Sequence, residues 1–271
     1  MARTLRINKD SANYHIMSRT NAKAFLFDDG ALKSSIVEIL KRVAAFSGVK
    51  IHAYCIMDDH FHIVCNITKS ENVIPEATVI ERIRLLKGSV IADSFARNLL
   101  SLRKNKSGKK LVEKELDRWR SRMEDVSEFT KTFKELVNIV YKKKHSYSGS
   151  IWNGRFKSTI IENGEYLRNC IRYVEYNPVR ARIVNQADAY LWSSRNAGIS
   201  SSQLRFASKG NEWVMRRWAQ IGSGKIFGSR GFVEIEIGFH SACFNGSRVK
   251  ARQVAGKAYA AYGQRLAQDC A

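Results

Sequence analysis

The sequence predicts an α+β fold, in which an antiparallel sheet of four to five strands carries helices on one face. Segments near residues 13–19, 50–68 and 155–162 have the alternating or continuous apolar pattern of strands. Segments with apolar residues at helical spacing lie between them, beginning near residues 31 and 129. The resulting order of strand, helix, strand and strand is typical of ferredoxin-like, or RRM-like, domains.

The first half of the chain predicts the core of this sheet. NYHIMSR, residues 13–19, reads as a strand, and ALKSSIVEILKRVAAFSG, residues 31–48, reads as a helix with a glycine at the capping position. KIHAYCIM and HFHIVCNI are strand-like runs joined by the turn-prone pair Asp58 and Asp59. They predict a hairpin.

The second half predicts an insertion and the end of the domain. Residues 69–128 are polar, helix-rich and basic, with the exposed run LRKNKSGKK in the middle. RFKSTIIE predicts a fourth strand, and NGEYLRNCIRYVEYNPVRARIV a helix stopped by Pro178. We therefore expect one domain over residues 1–190, with its insertion at about 69–128, and a C-terminal extension of unknown role over 191–271.

The charge of the chain indicates a polyanionic partner. There are 46 Lys and Arg against 25 Asp and Glu, which gives a net charge of +21. Such an excess favours nucleic acid as the partner. The sequence shows no long apolar span, lipidation motif or apolar leader, which argues against a membrane. Five scattered cysteines without a CxxC pair suit a reducing cytosol.

Two histidines in the segment MDDHFHIVCN are the first candidates for chemistry. His60 and His62 stand two apart on a predicted strand, so both side chains project from the same face. They are either half of a metal site or a pair of core histidines. Cys65 is three residues from His62 and would therefore project from the opposite face of the strand. No second Cys or His follows at the spacing of a zinc finger, which disfavours a structural zinc site. His15 and His52 are expected to be ordinary strand residues, and a position near the site is left open for either.

Tyr173 and Asn177 are the second pair of candidates. They lie four residues apart on a predicted helix and therefore one turn from each other. A phenol nucleophile beside a metal site can perform phosphoryl transfer. Imidazole and amide ligands suit Mn²⁺ or Mg²⁺, although histidine alone fits zinc equally well. A helical tyrosine beside apolar residues is also common in cores and interfaces.

Taken together, four segments resemble the REP-associated tyrosine transposases, a branch of the HUH single-tyrosine, IS200-like transposases. The segments are YHIMSR, CIMDDHFHIV, SGSIWNGRFKSTIIE and YLRNCIRYVEYNPVRARIV, and they cover most of residues 13–69 and 130–184. The resemblance implies that His60, His62 and Asn177 hold a divalent cation and that Tyr173 is the nucleophile. This chain departs from the family in MDDH, which replaces a proline-containing turn, and in its longer insertion.

The resemblance implies a metal-dependent endonuclease and strand transferase that forms a 5′-phosphotyrosine on single-stranded hairpin DNA. Its natural targets would be repeated extragenic palindromes, and its cofactor would be Mg²⁺ or Mn²⁺. The protein would be located in the bacterial cytoplasm, associated with the nucleoid. The alternatives are a non-catalytic hairpin-DNA-binding regulator and an HUH replication initiator or relaxase. Monomer and homodimer are both left open. Basic and aromatic residues near the motifs are expected to bind DNA: Arg19, Lys142, Lys143, Lys144, Trp152, Arg155, Lys157, Arg180 and Arg182.

Overall fold

The computed structural model describes residues 9–21 and 24–198, together with the backbone of a short strand at Ile226–Phe227. The prediction for residues 191–271 therefore lies mostly outside the described residues. The insertion and the four family-like segments lie almost wholly within them.

The sheet has five strands in the order β2-β3-β1-β4-β5. The first four are antiparallel to their neighbours, whereas β5 runs parallel to β4. This confirms the predicted α+β class. The strands are β1 (Ser11–Arg19), β2 (Lys50–Ile56), β3 (His60–Thr68), β4 (Lys157–Ile161) and β5 (Ile226–Phe227).

Seven helices in the described part of the chain surround this sheet. The first begins where the Asp29 side chain accepts a hydrogen bond from Ala31 N at 2.8 Å, and it ends at Gly48, whose φ of 68° favours glycine. None of the helices in residues 9–198 is long and apolar enough to cross a membrane. They are α1 (Gly30–Ser47), α2 (Glu76–Lys87), α3 (Ser89–Arg103), α4 (Gly108–Arg120), α5 (Val126–His145), α6 (Glu165–Glu175) and α7 (Asn177–Arg180).

Helices cover both faces of the sheet, so the expectation of one covered face needs correction. One core joins α1 to α5 with the face of β3 that carries Phe61 and Ile63. A second, smaller core joins α6 with the opposite face, where Val64 lies. The physical reason is that Val64 of β3 and Ala53 and Cys55 of β2 make part of this second face apolar, and these side chains must also be removed from water.

The insertion packs on the α1 side of the sheet. Its helices α2, α3 and α4 share the larger core with α1 and α5. Glu124 closes the insertion, because its carboxylate accepts hydrogen bonds from Ser70 N at 2.7 Å and Ser70 Oγ at 2.8 Å and pairs with Arg82. The basic run between α3 and α4 is therefore carried on the face of the domain that faces away from His60 and His62.

The segment after α7 pairs with β2. Ile56 N donates to Trp192 O at 3.0 Å, and Ser194 N donates to Tyr54 O at 2.9 Å. Tyr190 Oη donates to Ile56 O at 2.7 Å. Residues 190–194 thereby satisfy backbone groups that β2 would otherwise expose at its outer edge.

Trp152 lies in the core, which removes the reason for assigning it to DNA. Its side chain is only 7% exposed and packs against Phe27 and Phe61, with ring centroids 5.6 Å away in both cases. Its indole Nε1 donates to Lys134 O at 3.0 Å. A ring held in this way has no free face on which a base could stack. The prediction from sequence failed here because the Ser-Gly turn before Trp152 suggested exposure.

We expect Trp152→Ala to lower the free energy of unfolding by about 3–5 kcal/mol, because it opens a large cavity and removes a buried hydrogen bond. Urea denaturation followed by circular dichroism measures this change. Phe25→Ala is the matched control, since Phe25 is 69% exposed, and its effect should stay within about 0.5 kcal/mol. Equal effects of the two substitutions would contradict the placement of Trp152 in the core.

Candidate active site

His60 and His62 lie side by side on the α6 face of the sheet. Their ring centroids are 5.0 Å apart with the planes at 88°, and both side chains are largely buried. The hairpin turn before them is closed by Met57 N, which donates to His60 O at 2.8 Å. Thr20 N donates to Asp59 O at 2.8 Å and ties the same turn to the end of β1. The pair is thus held on a rigid part of the sheet.

The two acids of the MDDH turn have different partners. The Asp59 carboxylate contacts Nδ1 of His60, whereas Asp58 forms an ion pair with the buried Lys33. A carboxylate on Nδ1 leaves Nε2 of the imidazole for a ligand, which is the usual arrangement behind metal-binding histidines. Asp59 is therefore positioned to orient His60, and Asp58 stabilises the turn.

His15 contacts His62 and was not singled out by the sequence pattern. Nε2 of His15 lies 2.8 Å from Nδ1 of His62, and the two rings are nearly parallel, at 12° and 5.0 Å. Burial lowers the pKa of His15 to about 4. Burial also lowers the pKa of His62 well below its ordinary value. Both imidazoles are consequently neutral at physiological pH, as metal ligation requires.

Tyr173 lies above these histidines on α6. Its ring meets that of His62 edge-on at 5.7 Å and that of His15 at 6.1 Å. The Arg180 guanidinium lies 4.8 Å from the centre of the phenol ring. The helix is held in place by Cys170 and Val174, which lie in the smaller core against β2 and β3. The predicted tyrosine and the predicted histidine pair are therefore brought together.

Asn177 lies one turn beyond Tyr173, after a break in the helix. The helix expected to stop at Pro178 ends at Glu175, and a short second helix begins at Asn177. Pro178 explains the break, because its ring restricts the preceding residue and it lacks an N–H. Asn177 is buried in the resulting bend, with 9% of its surface exposed.

The side chains of this site fit a divalent cation bound by few protein ligands. In residues 9–21 and 24–198, no group of three or more His, Cys, Asp or Glu side chains has the arrangement of a metal site. Cys55 is paired with His62 in the strand register, but burial raises the pKa of its thiol and disfavours a thiolate. Cys65 lies in the larger core on the other face. Two imidazoles with an amide, water and phosphate oxygens would suit Mg²⁺ or Mn²⁺.

Three of the basic residues assigned to DNA surround this site. Arg19 is paired with His60 in the register of β1 and β3, and its side chain is exposed. Lys157 is exposed on β4 opposite Met17, which is itself opposite His62. Because opposite residues share a face, both cations lie on the histidine side of the sheet, as Arg180 does.

The remaining basic residues have other surroundings. Lys142, Lys143 and Lys144 form the last turn of α5, where cations favour the helix dipole, and Lys144 pairs with Asp29. Arg155 lines a groove of about 440 Å³ beside α5. Arg182 is exposed after α7 and has a φ of 58°.

Comparison with known proteins gives a match to one family model and similarity to a solved structure. Residues 8–111 match the family model described as "Transposase IS200 like". These residues include His15, His60 and His62, whereas Tyr173 and Asn177 lie beyond the match. A solved structure of a REP-associated tyrosine transposase bound to a REP hairpin is similar at 14% sequence identity and a TM-score of 0.45. The similarity covers 76% of this chain and 92% of that chain. No curated protein matches the chain.

We expect Asp59→Ala to weaken Mn²⁺ binding about tenfold or more, because His60 loses the partner that orients its ring. Asp59→Asn should retain most of the affinity, since its amide oxygen can still accept from Nδ1. Free Mn²⁺ measured by electron paramagnetic resonance gives the dissociation constants without any DNA.

Asp58→Ala is the matched control for this measurement. It removes the neighbouring carboxylate and leaves the buried Lys33 without its partner. It should lower thermal stability while leaving Mn²⁺ affinity unchanged. Equal losses of Mn²⁺ affinity in the Asp58→Ala and Asp59→Ala variants would refute a specific role for Asp59.

Proposed function

We propose that this chain, whose residues 8–111 match the family model of the IS200-like transposases, is a metal-dependent endonuclease and strand transferase acting on single-stranded hairpin DNA. The observation that carries the proposal is the position of Tyr173, whose ring lies 5.7 Å from His62 on the same face of the sheet. A phenol beside two imidazoles is the combination that a tyrosine-dependent phosphodiester transfer needs.

In the proposed reaction Tyr173 is the nucleophile. Its phenolic oxygen attacks the scissile phosphorus, loses its proton and becomes esterified as a 5′-phosphotyrosine. The bond between phosphorus and the 3′-oxygen breaks, and the departing strand takes up a proton to end in a free 3′-hydroxyl. Strand transfer is the reverse attack by a 3′-hydroxyl on the phosphotyrosine. Arg180 lies against the phenol ring and can stabilise the negative charge that gathers on the phosphate oxygens.

His60, His62 and Asn177 would hold the cofactor in this proposal. A bound Mg²⁺ or Mn²⁺ supplies positive charge against a non-bridging phosphate oxygen. Asp59 orients the first histidine from the hairpin turn. The strand holds the imidazoles rigidly, so little reorganisation is needed when the phosphate arrives.

The proposed substrate follows from charge and from the family-like motifs. A net charge of +21 supports a polyanion, and the exposed cations Arg19, Lys157 and Arg180 lie around the tyrosine. Repeated extragenic palindromes of a bacterial chromosome are the hairpins that the four motifs imply. A strand entering this edge would place its phosphates among these cations and its scissile bond beside Tyr173.

The proposal is tested by incubating the protein with an end-labelled hairpin oligonucleotide and Mn²⁺ and resolving covalent adducts on a denaturing gel. Tyr173→Phe should abolish the adduct, because it removes the attacking oxygen. It should leave hairpin affinity within a few-fold, since no charge changes. Tyr176→Phe is the matched control three residues away and should form adduct at the wild-type level. Hairpin binding without any adduct in the wild type would favour a regulatory binder over an enzyme.

A second prediction concerns which charges belong to the DNA-binding surface. Each phosphate contact to a single strand contributes a slope of about −0.7 in log K against log salt. Changing Arg19, Lys157 and Arg180 together to Gln should therefore make the salt slope shallower by about 2. Fluorescence anisotropy of a labelled hairpin over a salt series measures the slope.

The control for this prediction removes the same charge elsewhere. Lys104, Lys106 and Lys109 lie in and beside the exposed loop between α3 and α4, on the other face of the domain. Their triple Gln variant should keep the wild-type slope. A slope that falls equally in both triple variants would mean that the charge acts through the overall field of the protein and not through contacts.

A further inference from the structure

The contact between His15 and His62 joins two buried imidazoles from neighbouring strands. His15 is 7% exposed and His62 is 4% exposed, and their Nε2 and Nδ1 atoms are 2.8 Å apart. His15 lies on β1 opposite Val64, so it shares the face of β3 that carries His60 and His62. The proposed reaction assigns no step to His15.

The hydrogen bond between the two rings has a direction if His62 binds a cation. A neutral imidazole carries one proton, and a ligand that uses Nε2 must carry it on Nδ1. His62 then donates from Nδ1, and His15 accepts on Nε2.

We propose that His15 is a positioning residue that holds His62 in the Nδ1–H tautomer and fixes the plane of its ring, so that Nε2 of His62 is presented to the metal. This inference rests on the proposed metal-dependent function and names a residue that acts through His62.

The arrangement around His60 supports this role. The Asp59 carboxylate contacts Nδ1 of His60 just as His15 contacts Nδ1 of His62. Each histidine of the pair therefore has a partner on the nitrogen that would face away from the cation, and the two partners come from different elements. Holding ring orientation through the second nitrogen is the general arrangement behind metal-bound histidines.

Packing alone does not account for a histidine at position 15. The ring contacts those of His62 and Tyr173 in a buried setting, where a phenylalanine or leucine would fill the space without a polar group to satisfy. A buried polar ring needs hydrogen-bond partners, and one partner of His15 is the predicted metal ligand His62.

The test compares His15→Met with His15→Gln, two unbranched side chains of similar length. Gln can accept the hydrogen bond from His62, whereas the Met thioether is a poor acceptor. Mn²⁺ affinity is measured without DNA, at a temperature at which circular dichroism shows both variants to be folded. We expect His15→Met to weaken Mn²⁺ binding about 10- to 100-fold and His15→Gln to stay within a few-fold of the wild type. Raised Mn²⁺ should restore adduct formation in the Met variant.

A second readout needs neither metal nor activity. Long-range ¹H–¹⁵N correlation spectra of ¹⁵N-histidine-labelled protein report which ring nitrogen carries the proton. We expect the Nδ1–H tautomer of His62 in the wild type and in His15→Gln, and its loss in His15→Met.

Two results would overturn the inference. One is a Met variant that keeps both the tautomer of His62 and the wild-type Mn²⁺ affinity. The other is a Gln variant that loses both as fully as the Met variant does. A wild type that binds no Mn²⁺ overturns the proposed function instead, and the tautomer spectra then still decide whether His15 holds His62.

Discussion

The antiparallel register between β1 and β3 is the constraint on which the candidate site depends. It pairs Arg19 with His60 and Met17 with His62, and it brings His15 diagonally beside the second histidine. A slip of one residue in β3 would turn both histidines into the larger core and bring Phe61 to the other face. The apolar residues that alternate with the histidines along β3 make such a slip costly, because Phe61 and Ile63 are fully buried. Packing and chemistry therefore select the same register.

Burial of the second sheet face also positions Tyr173, the proposed nucleophile. On the α6 face of the sheet, His60 and His62 of β3 are polar, whereas Val64 and the neighbouring residues of β2 are apolar. Helix α6 covers the apolar residues, and Tyr173 lies at the boundary between them and the histidines. Cys170 and Val174 fix its position by packing, so the distance between phenol and imidazole is set by core contacts. A helix placed on the α1 side could not bring a tyrosine to these histidines.

The positive charge is divided between two surfaces with different surroundings. Arg19, Lys157 and Arg180 lie around the tyrosine, whereas the basic insertion is carried on the opposite side of the sheet. The lysines that end α5 have a local reason for their position, since cations stabilise a helix C-terminus and one of them pairs with Asp29. Net charge alone indicates the class of partner, and the fold decides which cations can meet it near the tyrosine.

The sequence by itself determined the succession of strands and helices along the chain, the common face of His60 and His62 and the spacing of Tyr173 from Asn177. These follow from the side-chain periods of 2 residues in a strand and 3.6 residues in a helix. Tertiary structure decided what no local period contains. It placed α6 on the face opposite α1, because apolar residues on both faces of the sheet had to be removed from water. It buried Trp152, whose turn-rich flanks suggested exposure. It also brought His15, 47 residues away in the chain, to His62. Contacts between strands depend on register and on packing across the sheet, and these are properties of the folded chain.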